Sequence, residues 1–259
     1  MNNRWEEDNM TKQEFCKTID HAILWQNNSR EVVEKRCRDV VKYGFACICC
    51  NPCEVSFARS IIGDAAGVCA VVGYPMGANT TQTKVFEALN AIDNGADEID
   101  VVMNISRFKD GYYDYVLDEL KAVVNACKAK MPECIVKVII ETPHLKAREE
   151  LAKACELVIA SGADYVKQAT GYATGNFGYT DEIVNADVNV GTDCVRAIHE
   201  IVGDRIKIKN AGCPKDLDEC LYYIKELGVY RIGHNHIPEW LEEAGEAYYQ
   251  IFMDRLESL

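Results

Sequence analysis

Residues 157–171 have the sequence Leu-Val-Ile-Ala-Ser-Gly-Ala-Asp-Tyr-Val-Lys-Gln-Ala-Thr-Gly. The first residues end an apolar helical pattern, and Gly162 suits the left-handed conformation that often follows a helix. A short β-rich run comes next and reaches Lys167, just before a Thr-Gly turn. An ammonium group is costly to bury unless it is paired or kept neutral. The stretch therefore predicts a helix, a turn and a strand whose last residue carries chemistry.

The same order of helix, glycine and strand recurs along the chain, at 40–50, 91–103 and 224–232. Eight β-rich runs are found in total, with helical patterns between them. They lie near 18–24, 45–50, 68–73, 98–103, 135–141, 164–168, 206–210 and 229–233. Eight strands that alternate with helices favour a closed parallel barrel over an open sheet. We therefore predict the α/β class and a (β/α)8 TIM barrel.

The domain organisation follows from length and composition. The chain has 259 residues, a common length for an undivided α/β barrel, and no Pro/Ser-rich linker or low-complexity tract divides it. We predict a single domain over 1–259, with an N-terminal extension or helix at 1–17. Residues 238–259 form an amphipathic pattern typical of a C-terminal helical tail.

Charge and hydropathy narrow the classes of partner. The formal net charge of −13 argues against nucleic acid and an anionic membrane as partners. No apolar run approaches the roughly 20 residues of a membrane span, and the N-terminus lacks the pattern of a secretory signal. We expect a cytoplasmic protein whose 13 cysteines are free thiols. The expected partner is a small molecule.

Polar residues mark the carboxyl ends of the predicted strands, where barrel enzymes place their sites. These residues are Asp20, Asp100, Lys137, Glu141, Lys167 and Lys209. Lys207 and Lys209 share one face of their strand, and Lys209 is nearer the mouth, which makes it the better candidate. An amine nucleophile needs a neighbouring cation or desolvation to lower its pKa, and a carboxylate to move protons. The alternative is a buried lysine pair that acidic residues neutralise.

Seven ordered segments then resemble the deoxyribose-phosphate aldolase family over roughly 18–236. They are 19–21 (Ile-Asp-His), 49–52 (Cys-Cys-Asn-Pro), 71–77 (Val-Val-Gly-Tyr-Pro-Met-Gly), 95–102 (Gly-Ala-Asp-Glu-Ile-Asp-Val-Val), 136–142 (Val-Lys-Val-Ile-Ile-Glu-Thr), 166–171 (Val-Lys-Gln-Ala-Thr-Gly) and 209–212 (Lys-Asn-Ala-Gly). The resemblance implies a class I aldolase in which Lys167 forms a Schiff base with the donor aldehyde. It also implies that Asp100 and Lys209 donate and accept protons, and that no cofactor is needed.

The chain departs from the family pattern at the predicted phosphate end. Gln168-Ala169 replaces Thr-Ser, Cys213 replaces a glycine, and Pro214-Lys215 replaces a hydrophobic residue and an arginine. The residues 234–236 (His-Asn-His) replace a small residue and serines, and the connection 172–190 is longer than usual. The predicted substrate-binding residues are Asp20, Cys49, Lys137, Thr170, Gly171, Gly212, Lys215, Gly233, Asn235 and His236.

Several functional alternatives stay open. The substrate implied by the resemblance is 2-deoxy-D-ribose 5-phosphate, cleaved to acetaldehyde and glyceraldehyde 3-phosphate. The rewritten phosphate end also suits an unphosphorylated or differently substituted substrate, although Lys215 keeps a positive charge at the phosphate position. A metal-dependent lyase using His144, His234 and His236 is the second class, and a barrel that binds without turnover is the third. No metal is assigned, and a homodimer is one candidate assembly.

Overall fold

The computed structural model describes residues 10–145, 147–172, 192–211 and 214–244. Eight parallel strands pair in chain order, and β8 pairs with β1 to close the barrel. The strands are β1 (Ile19–Ile23), β2 (Cys47–Cys50), β3 (Gly67–Val72), β4 (Glu98–Val102), β5 (Ile135–Ile139), β6 (Tyr165–Lys167), β7 (Lys207–Ala211) and β8 (Val229–His234). Every predicted strand overlaps one observed strand, so the predicted (β/α)8 barrel is confirmed.

Helices follow the strands and surround the barrel. They are α1 (Lys12–Cys16), α2 (Arg30–Tyr43), α3 (Val55–Ile62), α4 (Thr81–Asp93), α5 (Ile105–Lys109), α6 (Tyr113–Lys130), α7 (Arg148–Ser161), α8 (Thr192–Val202) and α9 (Leu217–Lys225). A further helical stretch covers 237–244. Gly44 and Gly162 end α2 and α7 with φ angles of 70° and 82°, as the recurring helix–glycine–strand order predicts.

The main apolar core lies between the strands and the helices. On β4, for example, Ile99 and Val101 are fully buried in this layer. Because successive side chains of a strand point to opposite faces, their neighbours Glu98 and Asp100 point into the barrel. The barrel interior is thus a separate compartment, and among the described residues its own apolar cluster contains Cys47, Cys49, Cys69 and Val71.

The remaining predictions concern membrane spans, the two ends of the chain and the number of domains. No helix in the described part of the chain is long and apolar enough to span a membrane. Most of the predicted tail 238–259, the connection 173–190 and residues 1–9 lie outside the described residues. The single domain over 1–259 stays a prediction, and within it the predicted N-terminal helix is present as α1.

Candidate active site

Strand register brings the predicted catalytic residues into one layer of the barrel. Asp100 on β4 is the register partner of Lys137 on β5, and Lys167 on β6 is the partner of Lys209 on β7. All four side chains are at least 97% buried. The carboxylate of Asp100 therefore lies among three amines that come from three other strands.

Asp100 is the centre of this cluster. Its Oδ2 accepts hydrogen bonds from Lys167 Nζ at 2.8 Å and from Lys209 Nζ at 2.7 Å. Its Oδ1 accepts a hydrogen bond from Lys137 Nζ at 3.0 Å. The resemblance groups Lys167, Lys209 and Asp100 as the catalytic residues, and both lysines thus contact Asp100 directly. Lys137, predicted to bind substrate, belongs to the same cluster.

A second layer of charge lies deeper in the barrel. Asp20 accepts from Lys209 Nζ at 2.5 Å and from Arg231 Nη1 at 2.6 Å. Glu98 pairs with Lys137 and lies 3.3 Å from Arg231 Nη2. Asp20 is fully buried beneath Lys209. Asp20 contacts the amine of Lys209 from the deeper layer of the barrel. Its contact with substrate stays a prediction.

Counting these groups gives four cations, Lys137, Lys167, Lys209 and Arg231, against the carboxylates Asp20, Glu98 and Asp100. The excess positive charge is not shared equally. Within the described residues, Lys137 lies within 4 Å of three carboxylates and Lys209 of two, but Lys167 of Asp100 alone. Lys167 is therefore the least neutralised of the three amines.

The pKa values of the surrounding groups follow from this arrangement. Burial alone would raise the pKa of Asp100, but Lys137, Lys167 and Lys209 hold it well below its usual range. Burial alone would lower the pKa values of Lys137 and Lys209, but Asp100 and the deeper carboxylates hold both well above their usual range. Asp100 is therefore an anion at neutral pH, and the amines of Lys137 and Lys209 beside it favour the protonated form.

Thiols complete the wall around Asp100. Cys69 Sγ lies 3.1 Å from Asp100 Oδ1, and Cys49 Sγ lies 3.8 Å from Oδ2. Lys137 Nζ is also 3.5 Å from Cys69 Sγ. Cys49, predicted to bind substrate, is thus beside the carboxylate of Asp100, and Cys69 joins it as the register partner on β3.

Glu141 is a buried carboxylate at the rim of the site. Its side chain accepts the backbone N–H of Thr170 at 3.1 Å, and its own φ is 50°, a left-handed value that is rare outside glycine. Burial raises the pKa of Glu141 to about 7, although Thr170 and Lys167 oppose the rise. The carboxylate therefore ties the end of β5 to the turn after β6. The sequence analysis placed Glu141 among the candidate polar residues at the strand ends but gave it no role in the aldolase reaction.

The turn after Lys167 is held from several sides. Tyr74 Oη donates a 2.7 Å hydrogen bond to the carbonyl of Thr170, and Gly171 has a φ of 89°. Asn210 Nδ2 donates to Gln168 Oε1 at 3.1 Å. Gln168 is one of the departures from the family pattern, and its amide links the end of β6 to β7. Thr170 and Gly171 thus lie at the mouth of the site, where substrate contact was predicted.

The predicted phosphate end has a distinct construction. A Cβ on Gly233 would lie 3.3 Å from Lys209 Cε, so the glycine leaves space for the amine. His234 Nδ1 accepts the backbone N–H of His236 at 3.0 Å, and its ring packs 4.6 Å from that of Trp240. Burial lowers the pKa of His234 to about 4, so the ring is neutral. The N–H of His236 is consequently engaged within the chain.

The other residues of this end are more exposed. Lys215 is at the surface just before α9, and its backbone N–H donates to Glu219 Oε2 at 2.8 Å. Asn235 is half-buried and the side chain of His236 is exposed. Gly212 and Cys213 lie outside the described residues. The described residues of the predicted phosphate end thus lie at the end of β8 and in the segments after β7 and β8.

Potential metal ligands converge elsewhere. Among the described residues, close sets of three are Cys49, Cys69 and Asp100, and Asp20, Cys47 and Glu98. Neither set contains His144, His234 or His236, the ligands of the metal alternative. Lys137 already donates to Asp100 and Glu98 in these sets. The described geometry favours amine chemistry over the three-histidine site.

Arg231, Glu98 and Cys69 were missed as parts of the charged interior. A period-two signal could have found the first two, because Glu98 is two residues before Asp100 and Arg231 two before Gly233. Cys69 carries no such signal, because its proximity to Asp100 depends on the register between β3 and β4. The observed site is therefore larger than the predicted one, and it extends deeper into the barrel.

Comparison with known proteins identifies the family. The DeoC/LacD family aldolase profile matches residues 13–225. A deoxyribose-phosphate aldolase of Thermoanaerobacter pseudethanolicus is 40% identical over 220 residues, which cover 85% of this chain and 92% of the relative. One from Clostridium perfringens is 41% identical over 225 residues, covering 86% and 92%.

Solved structures agree with these relatives. The aldolase QR15 superposes with a TM-score of 0.78 and 35% identity, covering 92% of this chain and 98% of its own. The tetrameric deoxyribose phosphate aldolase from Aeropyrum pernix has the same fold, with a TM-score of 0.75, 23% identity and coverage of 90% and 92%. With the barrel and its charged interior, these matches lead to one conclusion: the chain belongs to the DeoC/LacD family of aldolases.

Proposed function

We propose that the protein is a class I aldolase that cleaves 2-deoxy-D-ribose 5-phosphate to acetaldehyde and glyceraldehyde 3-phosphate. The relatives at about 40% identity are named deoxyribose-phosphate aldolases. The observation that carries the proposal is the contact of Lys167 and Lys209 with one carboxylate oxygen of Asp100. This arrangement supplies a nucleophilic amine and two proton carriers without a metal.

Lys167 is the proposed nucleophile because it is the least neutralised of the three amines. Its free amine attacks the aldehyde carbon of the open-chain sugar, and the carbinolamine loses water to give an imine. The C2–C3 bond then breaks, with its electrons moving into the imine to form an enamine. The proton of the C3 hydroxyl leaves as the second aldehyde forms. Protonation of the enamine and hydrolysis release acetaldehyde and restore the amine.

Asp100 and Lys209 are the proposed proton carriers. Asp100 accepts hydrogen bonds from both amines through one oxygen, so a proton can pass between Lys167 and Lys209 over short contacts. Lys209 is held as a cation by Asp20 and Asp100 and can return its proton to the carbinolamine oxygen or the enamine. Lys137 neutralises the opposite oxygen of Asp100 and fixes the carboxylate in place.

A second candidate function keeps this chemistry but changes the substrate. Backbone N–H groups near helix starts commonly bind phosphate, and here the N–H of His236 is engaged by His234. Lys215 retains a positive charge but lacks the bidentate fork of arginine. These features favour an unphosphorylated or differently substituted aldehyde as the alternative substrate.

The Schiff base is tested by trapping. Borohydride added with substrate should reduce the imine and attach the donor carbons to Lys167, as peptide mass spectrometry would detect. Lys167→Ala should give no adduct, whereas Lys121→Gln, which changes an exposed lysine on α6, should give the wild-type yield. An adduct that persists in Lys167→Ala would overturn the assignment of the nucleophile.

The substrate is tested separately by retro-aldol rates on 2-deoxyribose 5-phosphate and on 2-deoxyribose. A marked preference for the phosphate supports the first candidate, and equal kcat/KM values support the second. Lys215→Gln should reduce the preference if the ammonium group contacts the phosphate. An unchanged preference in that variant would exclude Lys215 from the phosphate site.

We also infer a homo-oligomer, with a homodimer as its smallest form. The support is the tetrameric relative and the exposure of large apolar side chains, among them Phe86 and Met76 at 70% and 64%. Light scattering after size-exclusion chromatography would report the mass, and a monomer at micromolar concentration would refute the inference. The cytoplasmic location remains a prediction from the sequence.

A further inference from the structure

A cavity opens at the amino ends of the strands, at the end of the barrel away from the Lys167 site. Its volume is about 610 Å³, within the range of small-molecule pockets. Helix α1 and the segment before β1 form one wall, and the first residues of β5, β6, β7 and β8 form the other. In barrel enzymes this end usually serves stability alone. The residues that line it here have the chemistry of a binding site.

The lining is positively charged although the whole chain is strongly acidic. Among the described residues, Lys17, Lys207 and Arg231 contribute cations to the lining, and Glu14 contributes the one carboxylate. That carboxylate is engaged by its own helix, because Glu14 Oε2 accepts the N–H of Thr11 at 2.7 Å and its hydroxyl at 2.8 Å. The cavity therefore has an excess of positive charge in a protein of net charge −13. Such a local field favours an anion.

Aromatic rings lie beside the cations. Lys207 Nζ is 5.4 Å from the ring centroid of Tyr165 and 5.7 Å from that of Tyr230. Met10 and Ile135 add apolar surface to the same cavity. An ammonium group between two rings can contact the charged part of a ligand while the rings contact its body. This combination favours an organic anion over a bare inorganic one.

Arg231 connects the cavity to the charged interior. Its side chain remains 15% exposed while Nη1 contacts Asp20 at 2.6 Å. From Asp20 the ion pairs continue through Lys209 to Asp100 and Lys167. An anion bound beside Arg231 would compete with Asp20 for the guanidinium group. The cavity is thus separate from the aldolase site but in electrostatic contact with it.

We propose that the cavity at the amino ends of the strands binds a small organic anion with an aromatic body. Lys17 and Lys207 contact its charged group, and the partly exposed Tyr230 contacts its ring. Tyr165, only 4% exposed, lies behind Lys207, and Arg231 forms the inner end of the site. This assignment does not depend on the substrate of the aldolase reaction, because no residue at the mouth of the Lys167 site lines the cavity.

Calorimetric titration with phenyl phosphate tests the proposal at about 0.15 M salt. The variant Lys17→Gln/Lys207→Gln removes the two exposed cations of the cavity. The matched control Lys121→Gln/Lys153→Gln has the same change in net charge and removes two exposed lysines that belong neither to the cavity nor to the aldolase site. Circular dichroism melting of all three proteins checks that each is folded.

We expect the cavity variant to bind phenyl phosphate at least tenfold more weakly than the wild type, a loss of about 1.4 kcal/mol or more. The control should bind with wild-type affinity. Phenol and inorganic phosphate, tested separately on the wild type, should each bind at least tenfold more weakly than phenyl phosphate. Absence of binding to the wild type, equal affinity in the cavity variant, or loss of binding in the control would overturn the proposal. Inorganic phosphate binding as tightly as phenyl phosphate would overturn the aromatic part of it.

Discussion

The inside of the barrel and the layer around it differ completely in chemistry, although the same strands build both. On β4, Glu98 and Asp100 point inward to lysines and an arginine, while Ile99 and Val101 point outward to the helices. Because side chains alternate along a strand, neighbouring residues face either the charged interior or the apolar outer layer. Burial of apolar side chains between the strands and the helices supplies the folding free energy. The barrel interior can therefore hold charges that would destabilise an ordinary core.

The two regions also differ in their energetics. Each buried apolar side chain of the outer layer contributes roughly 1.5–3 kcal/mol by leaving water. The interior ions have lost their hydration, and their mutual attraction offsets this loss only while every partner is present. We therefore expect substitutions inside the barrel to change activity and stability together, and substitutions outside it to change stability alone.

Asp100→Asn should have the largest effect, because it removes the carboxylate shared by three amines. The variant leaves Lys137, Lys167 and Lys209 close together with less neutralising charge. We expect a loss of about 3–5 kcal/mol in the free energy of unfolding and about 10²–10⁴-fold in the retro-aldol rate. Urea unfolding and a retro-aldol assay at pH 7 measure both.

Asp110→Asn is the control, because Asp110 is exposed and its nearest cation, Arg107, is 3.5 Å away. Its stability should stay within about 0.5 kcal/mol of the wild type. If Asp100→Asn also unfolded with wild-type stability, the interior charges would not be coupled as the contacts indicate.

Ile99→Ala tests the other face of the same strand. Ile99 is fully buried in the layer between strands and helices, so its truncation should cost about 2–5 kcal/mol of unfolding free energy. The retro-aldol kcat/KM of the folded enzyme should remain within about twofold of the wild type. Ile99→Val should cost less, about 0.5–1.5 kcal/mol. A large fall in kcat/KM with either substitution would mean that the strand does not separate the two regions.

The same alternation explains how much the sequence could predict. Lys167, Lys209 and Asp100 could be grouped because all three lie near the carboxyl ends of strands, which converge in a closed barrel. Period two placed Lys207 and Lys209 on the same face of β7, and only distance from the strand end favoured Lys209. In the structure Lys207 is exposed and Lys209 is buried. The local sequence pattern was sufficient to predict a residue's surroundings wherever they depend only on its position along its own strand.

Contacts that depend on pairing between strands could not be predicted in this way. Arg231 reaches Asp20 across 211 positions in sequence, and Cys69 meets Asp100 because β3 and β4 pair in one particular register. Glu141 joins the site through a left-handed backbone that the sequence gives no reason to expect of a glutamate. The family resemblance implied the catalytic roles. The contacts that hold those residues in place depend on the three-dimensional structure.

Glu141 offers a smaller test at the rim of the interior. Because burial raises its pKa to about 7 from an ordinary 4.5, the folded protein holds this proton more tightly than the unfolded chain. Its stabilising contribution is therefore complete below pH 4.5 and is lost as the pH rises through 7. Glu141→Gln should remove this loss, a difference on the order of 2–3 kcal/mol between pH 4.5 and 8.

Urea unfolding of wild type and Glu141→Gln at pH 5 and pH 8 measures this difference. The wild type should lose stability relative to the variant at pH 8. Glu133→Gln, at the exposed turn before β5, should follow the wild-type pH dependence. Parallel pH profiles for wild type and Glu141→Gln would show that Glu141 titrates normally and that burial does not control its proton.

Lys84 and Glu119 form an ion pair in the outer layer, which is otherwise apolar. Both side chains are fully buried, and Lys84 Nζ donates to Glu119 Oε1 at 2.6 Å and to the carbonyl of Val102 at 2.8 Å. Burial lowers the pKa of Lys84 and raises that of Glu119, so each ion is opposed by its surroundings. This pair is the clearest challenge to the division between the two regions.

Lys84→Met/Glu119→Leu should have the smallest effect, because removing both ions avoids leaving either one unpaired. Replacing a buried pair by apolar side chains of similar volume is often neutral or stabilising, so we expect a change within about 1 kcal/mol in the free energy of unfolding. Lys84→Met alone should cost more, because Glu119 then loses its cation. Urea unfolding of the three proteins, with retro-aldol rates as the control, gives the comparison. If the double variant lost more than about 3 kcal/mol or its retro-aldol rate fell with its stability, charge would be as necessary outside the strands as inside.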